Sequence, residues 1–552
     1  MDEGWLHPSF PRLSTVTPSL ALGPMNPSRS KTVLERYAEA VPLPPVTAVP
    51  SLLDEVLAAT NAAPASPTVA APPARGELER FLAEPDVAEA LKTWIGGLVP
   101  EHWRAELKRK ITQKLSSDIA QIDGLVSDQI NAILHHPEFQ KLEASWRGLK
   151  YLVDQVPEEA NVKIRVLNAS WKDMVRDQER ALEFDQSHLF RKVYNEEFGT
   201  PGGEPFGMLI GNYEMAHRAF TNHPTDDMAT LRGISAVAAA SFAPFIAATD
   251  PRFLEVDSFT ELEQPYDLSR LFSQADYLKW RSFRDTEDAR FVGLVLPRVV
   301  YRAPYGDDPA RAESFRFTED VSAPDRSGYL WGNAAFAFAA VAVRAFSETS
   351  WLADIRGTRP GADSAGLVTG LPAIGYGTGS AEFPRSVTDA HFTDIREKEL
   401  SDLGFVPLCH SPGSAEAAFF TAPSASKPKI YSESSATANA KLSAMLQYML
   451  CASRFAHYLK VIIRDQVGGY TTASEIEERL QKWVMPYVSS NDNASQEVKA
   501  RYPLREAKVS VRDNPEKPGQ YQCSIYLRPH FQLDQLSAGI RLSTQLNTRS
   551  AE

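Results

Sequence analysis

Two segments near the C-terminus alternate apolar and polar residues without a break, and that period commits them to a half-buried β-sheet. Over residues 505–512, Ala507, Val509 and Val511 share one face while Lys508, Ser510 and Arg512 share the other. Beyond a turn region holding Pro515, Pro518 and Gly519, the residues Tyr521, Cys523, Ile525 and Leu527 repeat the period, and a short return strand is expected after them. Two strands are only half of a sheet, and their free edges are covered either by this chain or by another one. Completion by another chain would make this an assembly protein.

A chain of 552 residues can bury one very large core or several ordinary ones, so it needs no covalent staple. Its net charge of −12 runs against the basic footprint of a nucleic-acid binder, which leaves proteins as the expected partners. Cys409, Cys451 and Cys523 are far apart and odd in number, suggesting neither a disulfide framework nor a thiolate metal cluster. A reducing compartment fits best. The Met-Asp-Glu start has no basic flank feeding an apolar run, so no secretory signal is expected. The Ala-rich stretches 233–248 and 331–348 are too short, or interrupted by Arg344, and read as buried helices rather than membrane spans.

Residues 1–76 hold 13 of the 39 prolines and an Ala/Pro/Ser/Thr run over 61–73, the composition of a flexible or extended arm carrying one short helix near 32–39. A helix interrupted at Pro85 is expected over 77–96. Leu115, Ile119, Ile122, Val126, Ile130 and Ile133 then recur every three or four residues, and after His135-His136-Pro137 the period resumes at Phe139, Leu142, Trp146 and Leu149. This predicts a helical pair. The expected elements beyond it are a strand at 162–167, helices at 170–182 and 187–197, a strand at 206–212 and helices at 227–248 and 267–281. A strand at 290–296, whose unbroken apolar run needs both faces covered, leads to a loop at 301–325 and a helix at 331–349. A Gly-rich surface region at 357–382, a helix at 394–402 and a strand at 404–408 follow. Helices at 435–464 and 473–488 separate the body from the terminal strands. The fold class is therefore α/β of mixed α+β character, divided into an arm (1–76), a helical segment (77–160), a central body (161–433) and a C-terminal part (434–552).

Catalytic chemistry finds little support in the spacing. Adjacent His135 and His136 point apart and read as a helix C-cap rather than a zinc pair. Cys409 and His410 are neighbours whose side chains rarely meet. The glycines at 199–204 and 361–379 lack the lysine and hydroxyl of a phosphate loop, and no dinucleotide fingerprint follows a strand. Asp226-Asp227 is accounted for by helix-end electrostatics. The mixed-sign run 281–290 is a solvated surface or an intermolecular salt-bridging one. No metal, cofactor or catalytic residue is assigned.

The stretch Leu134-His-His-Pro-Glu-Phe-Gln-Lys-Leu-Glu-Ala-Ser-Trp-Arg-Gly-Leu149 resembles the large subunit of the type VI secretion contractile sheath, the TssC/VipB family. Further blocks agree in the same order. They are Phe206-Gly-Met-Leu-Ile-Gly-Asn-Tyr-Glu214, Ile234-Ser-Ala-Val-Ala-Ala-Ala-Ser-Phe-Ala-Pro-Phe245, Phe291-Val-Gly-Leu-Val-Leu-Pro-Arg298 and Tyr329-Leu-Trp-Gly-Asn-Ala334. Trp351-Leu-Ala-Asp-Ile-Arg-Gly357, Leu403-Gly-Phe-Val-Pro-Leu408, Ser453-Arg-Phe-Ala-His-Tyr-Leu-Lys460 and Leu527-Arg-Pro-His-Phe-Gln-Leu533 continue the series, so the likeness spans roughly 110–545.

The resemblance implies a non-enzymatic building block without cofactor, nucleic acid or membrane insertion. It pairs with a small sheath subunit (TssB/VipA-like) and stacks with copies of itself around an inner tube on a baseplate. The assembly is cytoplasmic, within a membrane-anchored apparatus, and an AAA+ ATPase recycles it after contraction. The family likeness further implies an intermolecular sheet at the C-terminus, assigned here to Lys508, Val509, Ser510, Val511, Tyr521, Cys523, Ile525 and Leu527. Phe139, Leu142 and Trp146 either pack inside the helical bundle or contact the small subunit. The segment recognised by the ATPase lies at 32–37 or 78–91, and an N-terminal intermolecular strand lies within 31–46 or is absent. A phage-tail-like sheath outside type VI secretion, or an α/β enzyme with 357–382 as a lid, are the competing readings.

Overall fold

The run 292–296 carries no polar side chain, so it is stable only with both faces covered. In the computed structural model it lies inside a four-stranded, all-parallel sheet. The structure describes residues 84–86 and 104–530, apart from 222, 307–314, 322–325, 327, 360–364, 373–374, 377–382, 385, 411–415, 465–471, 492 and 514–520.

The chain order opens with α1 (Arg104–Leu134), α2 (Pro137–Asp154), α3 (Trp171–Arg180) and α4 (His188–Phe190), which continues as a π-helical stretch, Arg191–Phe198. Next come β1 (Leu209–Met215), α5 (Asp227–Ser241), β2 (Phe245–Thr249), α6 (Leu268–Ser273), α7 (Leu278–Arg284), β3 (Val292–Leu296), β4 (Val299–Arg302) and β5 (Leu330–Gly332). They are followed by α8 (Ala335–Thr349), β6 (Leu367–Val368), β7 (Gly375–Tyr376), β8 (Phe383–Pro384), α9 (Asp394–Asp402), β9 (Phe405–Pro407), β10 (Cys409–His410) and β11 (Ala417–Ala418). The chain closes with α10 (Ser434–Ser443), α11 (Leu446–Arg464), α12 (Ala473–Val484), α13 (Gln496–Arg501), β12 (Leu504–Asp513) and β13 (Tyr521–Pro529).

The central sheet has the order β1-β2-β3-β9, and its pleat sorts side chains into two cores. Val292, Leu294 and Leu296 meet Leu231 and Ile234 of α5 and Trp280 and Phe283 of α7 in the first. Val295 and Ile246 face the second, dominated by the Ala- and Phe-rich α8. Phe338 there is fully buried, which stabilises by roughly 2–3 kcal/mol relative to exposure. The third core lies between α11, α12 and the β12–β13 pair.

The helical pair forms at 104–134 and 137–154, and the terminal strands, α9 and β9 lie where the sequence places them. Several expectations are corrected. Residues 162–167 carry no regular secondary structure and pair with no strand among the described residues, because alternation by itself makes no ladder without a second edge. The expected helix 227–248 stops at Ser241; Phe242 is left-handed (φ 52°), and β2 follows Pro244. A proline disfavours helical geometry in the residue before it, a signal that the alanine run masked. The helix at 267–281 is three short pieces broken at Gln274, and strand 206–212 shifts to 209–215.

The expected helix 435–464 breaks at Ala444 and Met445, where Leu446 N–H donates to Ala422 O and Ser424 N–H to Ala444 O. A tertiary backbone exchange interrupts it. Within 357–382, β6 is buried beside β11 rather than at the surface. Gly366 allows that approach, since a Cβ there would lie 2.3 Å from Phe419 O. The two-helix run near 435–488 does not separate body from tail: Leu446 and Leu450 of α11 enter the second core, while Cys451 and Phe455 enter the third. The arm, the helix at 77–96, apart from 84–86, and the return strand lie outside the described residues.

Candidate assembly interface

β12 and β13 pair antiparallel with Ala507 opposite Leu527, Val509 opposite Ile525, Val511 opposite Cys523, Ser510 opposite Ser524 and Lys508 opposite Tyr526. Ala507, Val509 and Val511 are buried against Ile476, Leu480 and Val484 of α12, and Cys523, Ile525 and Leu527 are half-buried at the margin of the same core. Burial raises the Cys523 thiol, and the Glu477 carboxylate adds to that. Lys508 is exposed, as is Tyr526 at 54%, so the outer face is wet. Tyr521 begins β13 opposite Asp513. Trp351 stacks on Phe455 with centroids 4.0 Å apart and fixes the core's floor.

The two edges of this pair differ. Gln481 of α12 accepts the Val509 N–H through Oε1 at 2.8 Å and donates Nε2 to Ala507 O at 3.1 Å, as a neighbouring strand would. Glu477 Oε2 accepts the Val511 N–H at 2.8 Å. α12 thereby closes the outer edge of β12. Because Val509 and Val511 point their amides away from β13, their partners Ile525 and Cys523 sit in non-hydrogen-bonded pairs and point theirs outward too. No hydrogen bond among the described residues reaches that edge of β13, which is open from Cys523 to Leu527.

α2 has two faces. Ala144, Gly148, Tyr151 and Leu152 are buried, with the Phe336 ring 2.5 Å from where a Gly148 Cβ would stand. On the other face Phe139 is half-buried, Leu142 is 49% exposed and Trp146 is 65% exposed. Among the described residues, Leu142 and Trp146 are therefore not enclosed in a helical bundle. Leu115, Ile119, Ile122 and Leu125 of α1 are also exposed. His135 directly follows α1, its N–H bonding Asn131 O at 2.9 Å, while its ring lies 3.2 Å from Glu319, and His136 begins α2 without a side-chain cap. Glu319 also takes Arg302 Nη2 at 2.9 Å and the Tyr305 N–H at 2.9 Å, while Arg302 Nε reaches Glu143 of α2 at 2.9 Å. Burial pushes the Glu319 carboxyl up, but Arg302 and the Tyr305 N–H outweigh it and hold the group below its usual range. This network fixes both helices to β4.

The residues with catalytic-looking chemistry have other employment. Burial pushes the Cys409 thiol up to about 12, so it is not a poised nucleophile beside His410. Asp227 is fully buried and accepts Trp171 Nε1 at 2.7 Å, the Ala216 N–H at 2.9 Å and Thr225 Oγ1 at 2.9 Å, while Asp226 pairs with Lys279. At the carboxyl ends of the central strands, where open α/β sheets place ligands, Arg298 bridges Glu214 and Asp389. Among the described residues no group of three or more His, Cys, Asp or Glu is arranged to hold a metal ion. None of the described helices is long and apolar enough to cross a membrane.

Comparison with known proteins fits a polymerising subunit. Residues 116–426 match the family model described as EvpB/VC_A0108, tail sheath N-terminal domain, and residues 435–546 match its tail sheath gpW/gp25-like domain. The chain belongs to this tail sheath family, and it is a structural subunit of a contractile sheath of the type VI secretion and phage-tail kind. It is 39% identical over 439 residues to the type VI secretion system sheath protein TssC1 of Pseudomonas aeruginosa, covering 79% of this chain and 86% of that one. A chain in the cryo-EM structure of the anti-feeding prophage baseplate aligns over 70% of this chain and 84% of its own, with 8% identity and a TM-score of 0.35, too low to bear on the argument.

Proposed function

We propose that this chain is the large subunit of a two-component sheath, joined to a small sheath subunit through its N-terminal helical segment and to copies of itself through the terminal sheet. The sheath surrounds an inner tube on a baseplate in the cytoplasm, contracts without turnover by the subunit itself, and is recycled by an AAA+ ATPase. The division into arm, helical segment, body and C-terminal part belongs to this reading. One observation carries it: β12 is closed on its outer edge by Gln481 and Glu477, whereas β13 is open among the described residues. An open edge beside half-buried Cys523, Ile525 and Leu527 accepts a strand from a neighbouring protomer by main-chain pairing. Such a link holds subunits together while their rigid bodies rotate and slide.

The test is co-expression with a small sheath subunit, followed by negative-stain microscopy of full-length protein, a truncation after Ala500, and Ile525→Pro. The proline removes an outward amide while leaving the β12–β13 ladder its own bonds. Hollow cylinders from the full chain, and none from either variant, support the reading. Cylinders from Ile525→Pro would rule out augmentation at β13, and a monomer indifferent to the small subunit would rule out the two-component sheath.

A further inference from the structure

We infer that residues 162–167 are a β-strand lacking its neighbour, and that the small sheath subunit supplies the missing strand. This rests on the two-subunit reading above. The segment is anchored at both ends. Val162 N–H bonds Ala160 O at its start, and at its end Tyr213 Oη donates to Ala169 O at 2.7 Å just ahead of the capping box that opens α3. Its cationic side chains are also pinned, Lys163 to Glu204 and Arg165 to Glu197 and Glu204. From Lys163 to Val166, however, no backbone N–H or C=O has a hydrogen-bond partner among the described residues. The apolar side chains are in the open as well, with Val166 at 68% and Leu167 at 51% exposure.

Lys163 and Arg165, two residues apart, both reach Glu204, as alternate side chains of a strand do. A segment with that period, bare amides and exposed β-branched residues is a template for main-chain pairing, so its occupant is a strand rather than a helix. Self-pairing with a second copy is disfavoured, because an antiparallel register centred on Ile164 sets Lys163 of one copy against Arg165 of the other. The segment also follows directly from α2, whose exposed Leu142, Trp146 and Val153 belong to the face assigned to the small subunit. The matching strand is apolar and β-branched on alternate positions.

Residue-resolved hydrogen exchange on the co-purified heterodimer tests this. Alternate amides within 163–166 are expected to exchange roughly a hundredfold or more slowly than a free peptide, since one added strand pairs only one edge. Free-peptide rates at all four, with α1 and α2 protected by the partner, would overturn the strand and leave the two-subunit reading standing. Failure to form any heterodimer would remove that reading as well. Equal protection in homo-oligomers of this chain alone would overturn the choice of occupant. As a second measure, Ile164→Pro and Arg165→Pro remove amides from opposite edges. One of them lowers recovery of the small subunit at least tenfold relative to Ile164→Ala or Arg165→Ala, and equal recovery with all four would overturn the proposal.

Discussion

His457 shows at single-residue scale how burial turns into a pH response. Its Nε2 lies 3.0 Å from Ser241 O, and its ring packs against Phe198. Burial, opposed by the Ser241 bond and helped by Arg454 and Lys460, brings its pKa down to about 4. The unfolded chain takes up this proton near the ordinary histidine value while the folded chain refuses it, so stability falls as pH drops through that window. Between pH 7.5 and 4.5 the native protein should lose about 2–3 kcal/mol more than His457→Gln, read by denaturant titration at both values. Gly148 is a second such residue. Gly148→Ala gains about 1 kcal/mol of helix propensity but drives a methyl into the Phe336 ring, an overpacking that costs about 1–3 kcal/mol. A net loss of melting temperature is expected, and Phe336→Leu should restore part of it. Neither role is written in sequence: a histidine or glycine on a helix reveals nothing of the element that will press against it.

At the scale of elements, periodicity located α1, α2, β12 and β13 but not the contacts that give them roles. Thr472 and Glu475 form a capping box that announces α12, yet the use of Gln481 as a substitute strand requires β12 to lie beside it. Gln481→Ala frees the Val509 N–H and the Ala507 carbonyl, two bonds worth about 0.5–1.5 kcal/mol each. The Val509 amide should then exchange faster, while amides of Ser510 and Ser524, which face each other inside the pair, stay slow. Equal acceleration at all three would mean that the hairpin itself depends on Gln481. Residues 162–167 teach the complementary lesson. The pattern predicted a strand where the structure forms none, because a ladder is a property of neighbours and not of the segment alone.

At the scale of the whole molecule, the third core belongs to helices and terminal strands together, so deleting the strands strips Phe455, Leu480 and Val484 of cover. The truncation after Ala500 is therefore expected to bind a hydrophobic dye strongly, whereas Ile525→Pro should keep its near-ultraviolet circular dichroism unchanged. A matching loss of tertiary signal in both would show that the outer edge of β13 supports the fold as well as assembly. By itself the sequence determined the mixed α/β class, the helical pair, the terminal strand pair and membership of a sheath family, because these rest on local periods and on ordered blocks of residues. Only the tertiary structure decided which edge is open, which face of α2 is bare and where the Ala-rich run turns from helix to strand. Those outcomes depend on which surfaces remain after the three cores have formed, and burial is settled between segments distant in the chain.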